Sequence, residues 1–258
     1  MKYGKMLRRL IEETLPEWRD KFIAYKDLKR HLKTLPRMSL SLEEAEFICL
    51  LNAEIEKIDD FFLDQEEDII IAQKELKDRI QSTIATFGAN GVRPSETEYE
   101  EEMAKIRNDM ANFHREMVLL ENYSNVNYTG LAKILKKYDK KTGRFLRLPF
   151  TEKVLGQPFL MTDLLSRLVK ECEETMQALF PAEGGGNEAW EETIFRNAVA
   201  AFVTIREMRR GSSTYRPLSL PHIDEAIQTH RDHQTADLTT WGGLVDGRDF
   251  EILVKYNM

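Results

Sequence analysis

Cysteine is scarce in this 258-residue chain: only Cys49 and Cys172 occur, each inside a helical pattern. That excludes a disulfide framework and a thiolate zinc site, and both read as reduced core residues of a cytosolic or nuclear protein. No apolar run approaches 18 residues and no secretory pattern opens the chain, so neither membrane insertion nor secretion is expected. Acids are missing from one place in particular. Between Lys133 and Arg147 the single acid is Asp139, against Lys133, Lys136, Lys137, Lys140, Lys141, Arg144 and Arg147. Solvated helices ordinarily mix signs, because like charges at i,i+4 cost a few tenths of a kcal/mol each.

That stretch, Asn127 to Arg147, carries two stripes. Leu131, Ile134, Leu135 and Tyr138 recur at i, i+3, i+4, i+7, the apolar face of a helix. Lys133, Lys136, Lys137 and Lys140 repeat the interval two residues later, about half a turn away, so they stand opposite the buried face. The pattern predicts a lysine helix over 128–142, capped by Asn127 or Thr129 and closed by Gly143. A solvated basic face is the plain reading of these lysines; a site for a polyanion is the sharper one.

The formal net charge is -7, so a basic site here is local and the chain is no general nucleic-acid coat. From Met1 to Leu35 there are ten Lys/Arg against five acids, whereas Glu43 to Glu121 holds 21 acids against eight bases. Basic ends around an acidic middle suggest that the two ends meet.

The remaining periodicity is helical, so the expected fold is all-α: an N-terminal helical hairpin packed on a bundle of long coiled-coil-like helices, with one more helix C-terminal. The hairpin spans 1–35. Tyr3, Leu7, Leu10 and Ile11 face the core in its first helix; after Pro16, Trp18, Phe22, Tyr25, Leu28 and Leu32 do so in the second. Tyr25 and Lys29 are i,i+4 neighbours there, with Lys26, Arg30 and Lys33 nearby. The bundle spans 42–180. Ile48, Leu51, Ile55, Ile58, Phe62, Ile69, Ala72 and Leu76 keep heptad spacing over 42–87, interrupted only by Gln65. A second long helix runs from Glu96 to about Tyr123 on Ile106, Met110, Phe113, Met117 and Leu120, with His114 beside that stripe in a structural role. A third runs from Met161 to Phe180. A helix is expected over 187–211 and a largely flexible tail over 212–258, where His222, His230 and His233 lie too loosely to be read as a metal site.

The two basic segments together resemble the SPX domain family. MKYGKMLRRLIEETLPEWRDKFIAYKDLKRHLK is similar to the family's opening hairpin, and NYTGLAKILKKYDKKTG to its NxTGxxKILKKxDK signature. VLLENYSNVNYTGL and RLPFTEKVLGQPFLMTDLLSRLVKE resemble the small plant proteins built mostly of this domain. The likeness covers roughly residues 1–180 and, more loosely, the helix to about 215. It implies a binding module for inositol pyrophosphates or inositol hexakisphosphate, with Tyr25, Lys29 and Lys136 around a phosphate cluster and Lys2, Lys133, Lys137 and Lys140 as the neighbouring basic surface. It further implies a ligand-dependent repressor of MYB-type phosphate-starvation transcription factors, in nucleus and cytoplasm, with no cofactor, no resident metal and no direct contact to nucleic acid. An enzyme is not expected: the chain lacks the length of a polyphosphate polymerase, the apolar spans of a transporter and the cysteines of a RING ligase. The competing reading is a coiled-coil adaptor whose partner binding ignores inositol phosphates.

Overall fold

The computed structural model describes residues 3–13, 15–36, 42–88, 96–144, 146, 150 and 153–180. The helix expected over 187–211, the tail over 212–258 and Lys2 lie outside the described residues. Among the described residues the structure is carried by helices α1 (Tyr3–Glu13), α2 (Tyr25–Thr34), α3 (Leu42–Gly88), α4 (Glu96–Thr142) and α5 (Asp163–Leu179), with 3-10 turns at Pro16–Trp18 and Pro158–Leu160. Among the described residues there is no strand, and the all-α architecture is the expected one.

Helices α3 and α4 each have 47 residues, about 70 Å of helix. Their cross-contacts fix an antiparallel pair: Glu44 meets Tyr138, Ile58 O lies against Tyr123, and Arg79 pairs with Glu102 and Asp109. The heptad pattern buries Leu51, Ile55, Ile58, Phe62 and Ile69 of α3, and Ile106, Met110, Phe113, Met117 and Leu120 of α4. Helix α5 runs antiparallel to α4, since Ser166 donates to Glu121 and His114 Nε2 lies 2.9 Å from Glu173. His114 is fully buried in that contact, the structural place expected of it.

Three expectations need correction. The lysine helix is not a separate element: α4 runs unbroken from Glu96 to Thr142. No helix starts at Asn127, whose side chain instead donates to Tyr123 O of the preceding turn (2.9 Å) and accepts the Ile23 N–H (2.8 Å). The second hairpin helix is shorter than its apolar stripe, because Trp18 belongs to a 3-10 turn and α2 begins only at Tyr25. The stripe is buried all the same, because the intervening backbone is satisfied by side chains of the long helices. Asn127 takes the Ile23 N–H, Glu54 the Ala24 N–H (2.7 Å), Lys57 donates to Phe22 O (3.0 Å) and Tyr123 to Lys21 O (3.0 Å). Finally, Cys49 is exposed and only Cys172 is a core residue; the burial on that turn goes to Phe47 and Leu51.

Candidate functional site

The basic residues converge where α1, α2 and the last third of α4 meet. Gly130 makes the approach close. A Cβ there would lie 2.8 Å from Ile23 Cγ2 and 3.0 Å from the Tyr3 hydroxyl, so the hairpin rests directly on the α4 backbone. Tyr3 fastens α1 by donating to Val126 O at 2.9 Å. Its ring meets Tyr25 edge-on at 4.8 Å, and Lys133 Nζ stands over the same ring at 5.4 Å.

Helix α2 then runs alongside the lysine stretch, in the same direction. Its start is held at Gly130 by Ile23, and its last turn is held by Lys141, whose ammonium donates to Lys33 O. A cation at a helix C-terminus satisfies a carbonyl left without an intrahelical partner and meets the negative end of the dipole. Between these fastenings α2 carries Lys26, Lys29 and Lys33, while α4 carries Lys133, Lys136, Lys137 and Lys140. Lys29 lies midway along its helix, at the level of Lys136 and Lys137 on the neighbouring one.

Availability separates these lysines from the other bases. Lys29, Lys136, Lys137 and Lys140 are exposed, and among the described residues none of the four enters an ion pair. The acids nearby are engaged elsewhere. Asp139 accepts the Leu146 N–H at 3.0 Å and so organises the chain after the helix. Glu44, buried, accepts from the Tyr138 hydroxyl and pairs with Arg144 at 3.1 Å. Arg144 and Lys141 are therefore structural bases, whereas the others form a field of one sign. Gly143, at φ +76°, closes α4 by donating to Asp139 O at 2.9 Å, in the left-handed conformation that glycine adopts freely.

Two groups feel this environment. Half-burial pushes the Lys133 ammonium below the ordinary lysine value, and Lys136 and Lys137 push it further down. Burial raises the Tyr25 phenol, so it stays a neutral hydroxyl. The Tyr25 ring is packed away, and its hydroxyl hydrogen-bonds to none of the described residues. A neutral donor beside several flexible ammonium groups suits a ligand that bears phosphates in several directions.

Of the residues singled out in the sequence, Tyr25, Lys29, Lys133, Lys136, Lys137 and Lys140 thus lie on helices that pack together, and Lys2 is outside the described residues. The fastenings are not evident from sequence: Tyr3 is there only an apolar position and Asn127 only a candidate cap, and Gly130 and Ile23 carry no assigned role. A signal existed at Gly130, since a glycine inside an apolar helical pattern marks a close approach.

Known proteins share this architecture and sequence. A family-wide profile described as the SPX domain matches residues 87–154, a span that contains the lysine stretch. The chain is 52% identical over 235 residues to SPX domain-containing protein 3 of Arabidopsis thaliana, covering 87% of this chain and 92% of that one. It is 51% identical over 229 residues to SPX domain-containing protein 5 of Oryza sativa subsp. indica, covering 86% and 87%. The fold resembles that of the SPX domain of Chaetomium thermophilum glycerophosphodiester phosphodiesterase 1, solved in complex with inositol hexakisphosphate. The TM-score is 0.53 and the identity 24%, over 69% of this chain and 99% of that one.

Proposed function

The chain belongs to the SPX domain family, and from that premise we propose that it reports phosphate status by binding an inositol polyphosphate or pyrophosphate across α2 and the basic end of α4. The observation that carries this reading is the alignment of two helices on which Lys29, Lys136, Lys137 and Lys140 are exposed and lack acidic partners among the described residues. Such a surface is strained by its own charge when empty. A polyanion seated on it replaces repulsion between helices with attraction to both, so ligand and helix packing reinforce each other. The binding set is Tyr25, Lys29, Lys133, Lys136, Lys137 and Lys140, joined by Lys2 from the start of the chain. The complex of the fungal SPX domain with inositol hexakisphosphate supports a ligand of this class.

The reading extends to output. The liganded protein binds a MYB-type phosphate-starvation transcription factor and keeps it from DNA, acting in nucleus and cytoplasm as a binding module with no reaction of its own. This step follows from resemblance to the stand-alone plant members. Among the described residues no helix is long and apolar enough to cross a membrane.

Calorimetric titration tests the ligand step. Inositol hexakisphosphate and an inositol pyrophosphate should bind at micromolar concentration or below, orthophosphate far more weakly, and added salt should weaken each. The combined Lys133→Ala, Lys136→Ala, Lys137→Ala, Lys140→Ala variant should show no heat. Capture of the transcription factor with and without ligand tests the output: equal capture in both conditions would favour the adaptor reading.

A further inference from the structure

A second site lies away from the lysines, on the acidic part of the molecule. The 3-10 turn at Pro16–Trp18, the middle of α3 and α4 enclose a cavity of about 380 Å3 open to solvent, within the range of small-ligand clefts, about 300–1,000 Å3. Its aromatic wall is Trp18 and Phe61, packed edge-on at 5.3 Å and backed by Tyr123, 5.1 Å from Phe61. Its rim is Glu17, Asp68 and Glu116.

The three carboxylates are underused. Among the described residues none of them is in an ion pair, and Asp68 has only a long 3.4 Å hydrogen bond from Gln65. Partial burial raises the Glu116 carboxyl; Arg115 opposes that and Glu17 adds to it, so two carboxylates face the same space. The outer face of α3 extends the negative field through the exposed Asp60, Asp64, Glu67, Glu75 and Asp78.

An aromatic wall under converging acids suits a cation with a flat face. We propose that this cavity receives an arginine side chain from a basic segment of a partner protein. The guanidinium would stack on the part-exposed ring of Phe61, against which the buried Trp18 packs edge-on, while its fork of N–H donors meets Glu17 and Glu116. Lysine supplies the charge but neither the planar stack nor the fork. The site is formed without any of the phosphate-binding lysines, so it stands or falls independently of them.

Fluorescence anisotropy on the full chain tests this, using a short fluorescein-labelled peptide with arginines at i and i+4 and a twin with lysines in their place. The arginine peptide should bind, and the lysine twin should bind at least about threefold more weakly. Glu17→Lys with Glu116→Lys should weaken binding about tenfold, whereas Glu100→Lys with Glu101→Lys, the same charge change on a distant exposed turn, should change it less than about twofold. Circular dichroism checks that both variants are folded. Equal losses in the two variants, equal affinity of the two peptides, or no binding would overturn the proposal. So would competition by free spermine at the peptide's own affinity, which would make this a small-cation site.

Discussion

Asn127 Oδ1 accepts the buried N–H of Ile23 at 2.8 Å, joining two residues 104 positions apart. The same side chain donates to Tyr123 O at 2.9 Å, so its amide is held on α4 while it anchors Ile23, two residues before α2. A buried donor left without an acceptor costs about 1–3 kcal/mol. Asn127→Leu should therefore destabilise the protein by about that amount in urea unfolding. It should also weaken inositol hexakisphosphate binding, although every lysine is retained. Retained affinity in a destabilised variant would show that the start of α2 does not set the site.

Gly130→Ala tests the same joint by steric means. The added methyl would meet Ile23 Cγ2 at 2.8 Å and the Tyr3 hydroxyl at 3.0 Å. Alanine improves helix propensity by about 1 kcal/mol, while overpacking a tight contact costs about 1–3 kcal/mol. The expected net is a modest loss of thermal stability with a larger loss of ligand affinity. The matched control is Ala132→Gly, which loosens the helix without crowding the hairpin. A stabilised Gly130→Ala protein with unchanged affinity would contradict the close approach.

Lys133 is half-buried, and its ammonium is pushed below the ordinary lysine value first by that burial and then by Lys136 and Lys137. A lysine whose folded value is depressed binds fewer protons when folded, so its charge opposes folding at neutral pH and the penalty fades as pH rises into the alkaline range. Lys133→Met should accordingly raise the stability of the unliganded protein by about 0.5 kcal/mol, the size of the repulsions removed. In saturating inositol hexakisphosphate the order should reverse. Differential scanning fluorimetry with and without ligand reads both signs.

Much of this was legible in the sequence, for a physical reason. Heptad spacing in α3 and α4 survives any detail of packing, since the positions that meet the neighbouring helix are apolar even though α3 also exposes Leu63, Ile70 and Ile71. The lysine stretch stood out because repulsion repeated at i,i+3 and i,i+4 is seldom tolerated without use. What escaped was set by contacts distant in sequence. Nothing in RDKFIA announces that its backbone will be satisfied by Glu54, Lys57, Tyr123 and Asn127 instead of by helix. Asn127 therefore reads as a cap, the role that asparagine favours just ahead of a helical pattern. Lys141 and Arg144 looked equivalent to their neighbours until Lys33 O and Glu44 claimed them.

Asp59 gives the fold a pH signature unrelated to the ligand. Burial pushes its carboxyl up to about 6, Asp60 adds to the shift, and the hydrogen bond from Phe159 N–H at 3.1 Å opposes it. A carboxyl whose folded value lies above its unfolded value takes up protons on folding, so it stabilises below about pH 4 and that benefit is lost as pH rises through about 6. Asp59→Asn keeps an acceptor for Phe159 and removes the charge. It should be more stable than the parent at pH 7, by about 1–2 kcal/mol, with the gap closing toward pH 4–5. Urea unfolding of both proteins at the two pH values checks this; a constant gap would exclude Asp59 as the source.

Whether α2 and α4 hold one ligand together is decided by titrating inositol hexakisphosphate into three single variants: Lys29→Ala on α2, Lys136→Ala on α4 and Lys170→Ala on α5. The first two should each lose about tenfold in affinity, as expected when a charge-assisted contact is removed, and the third should match the parent. Loss confined to Lys136→Ala, or an equal small loss in all three, would contradict a site shared between the two helices.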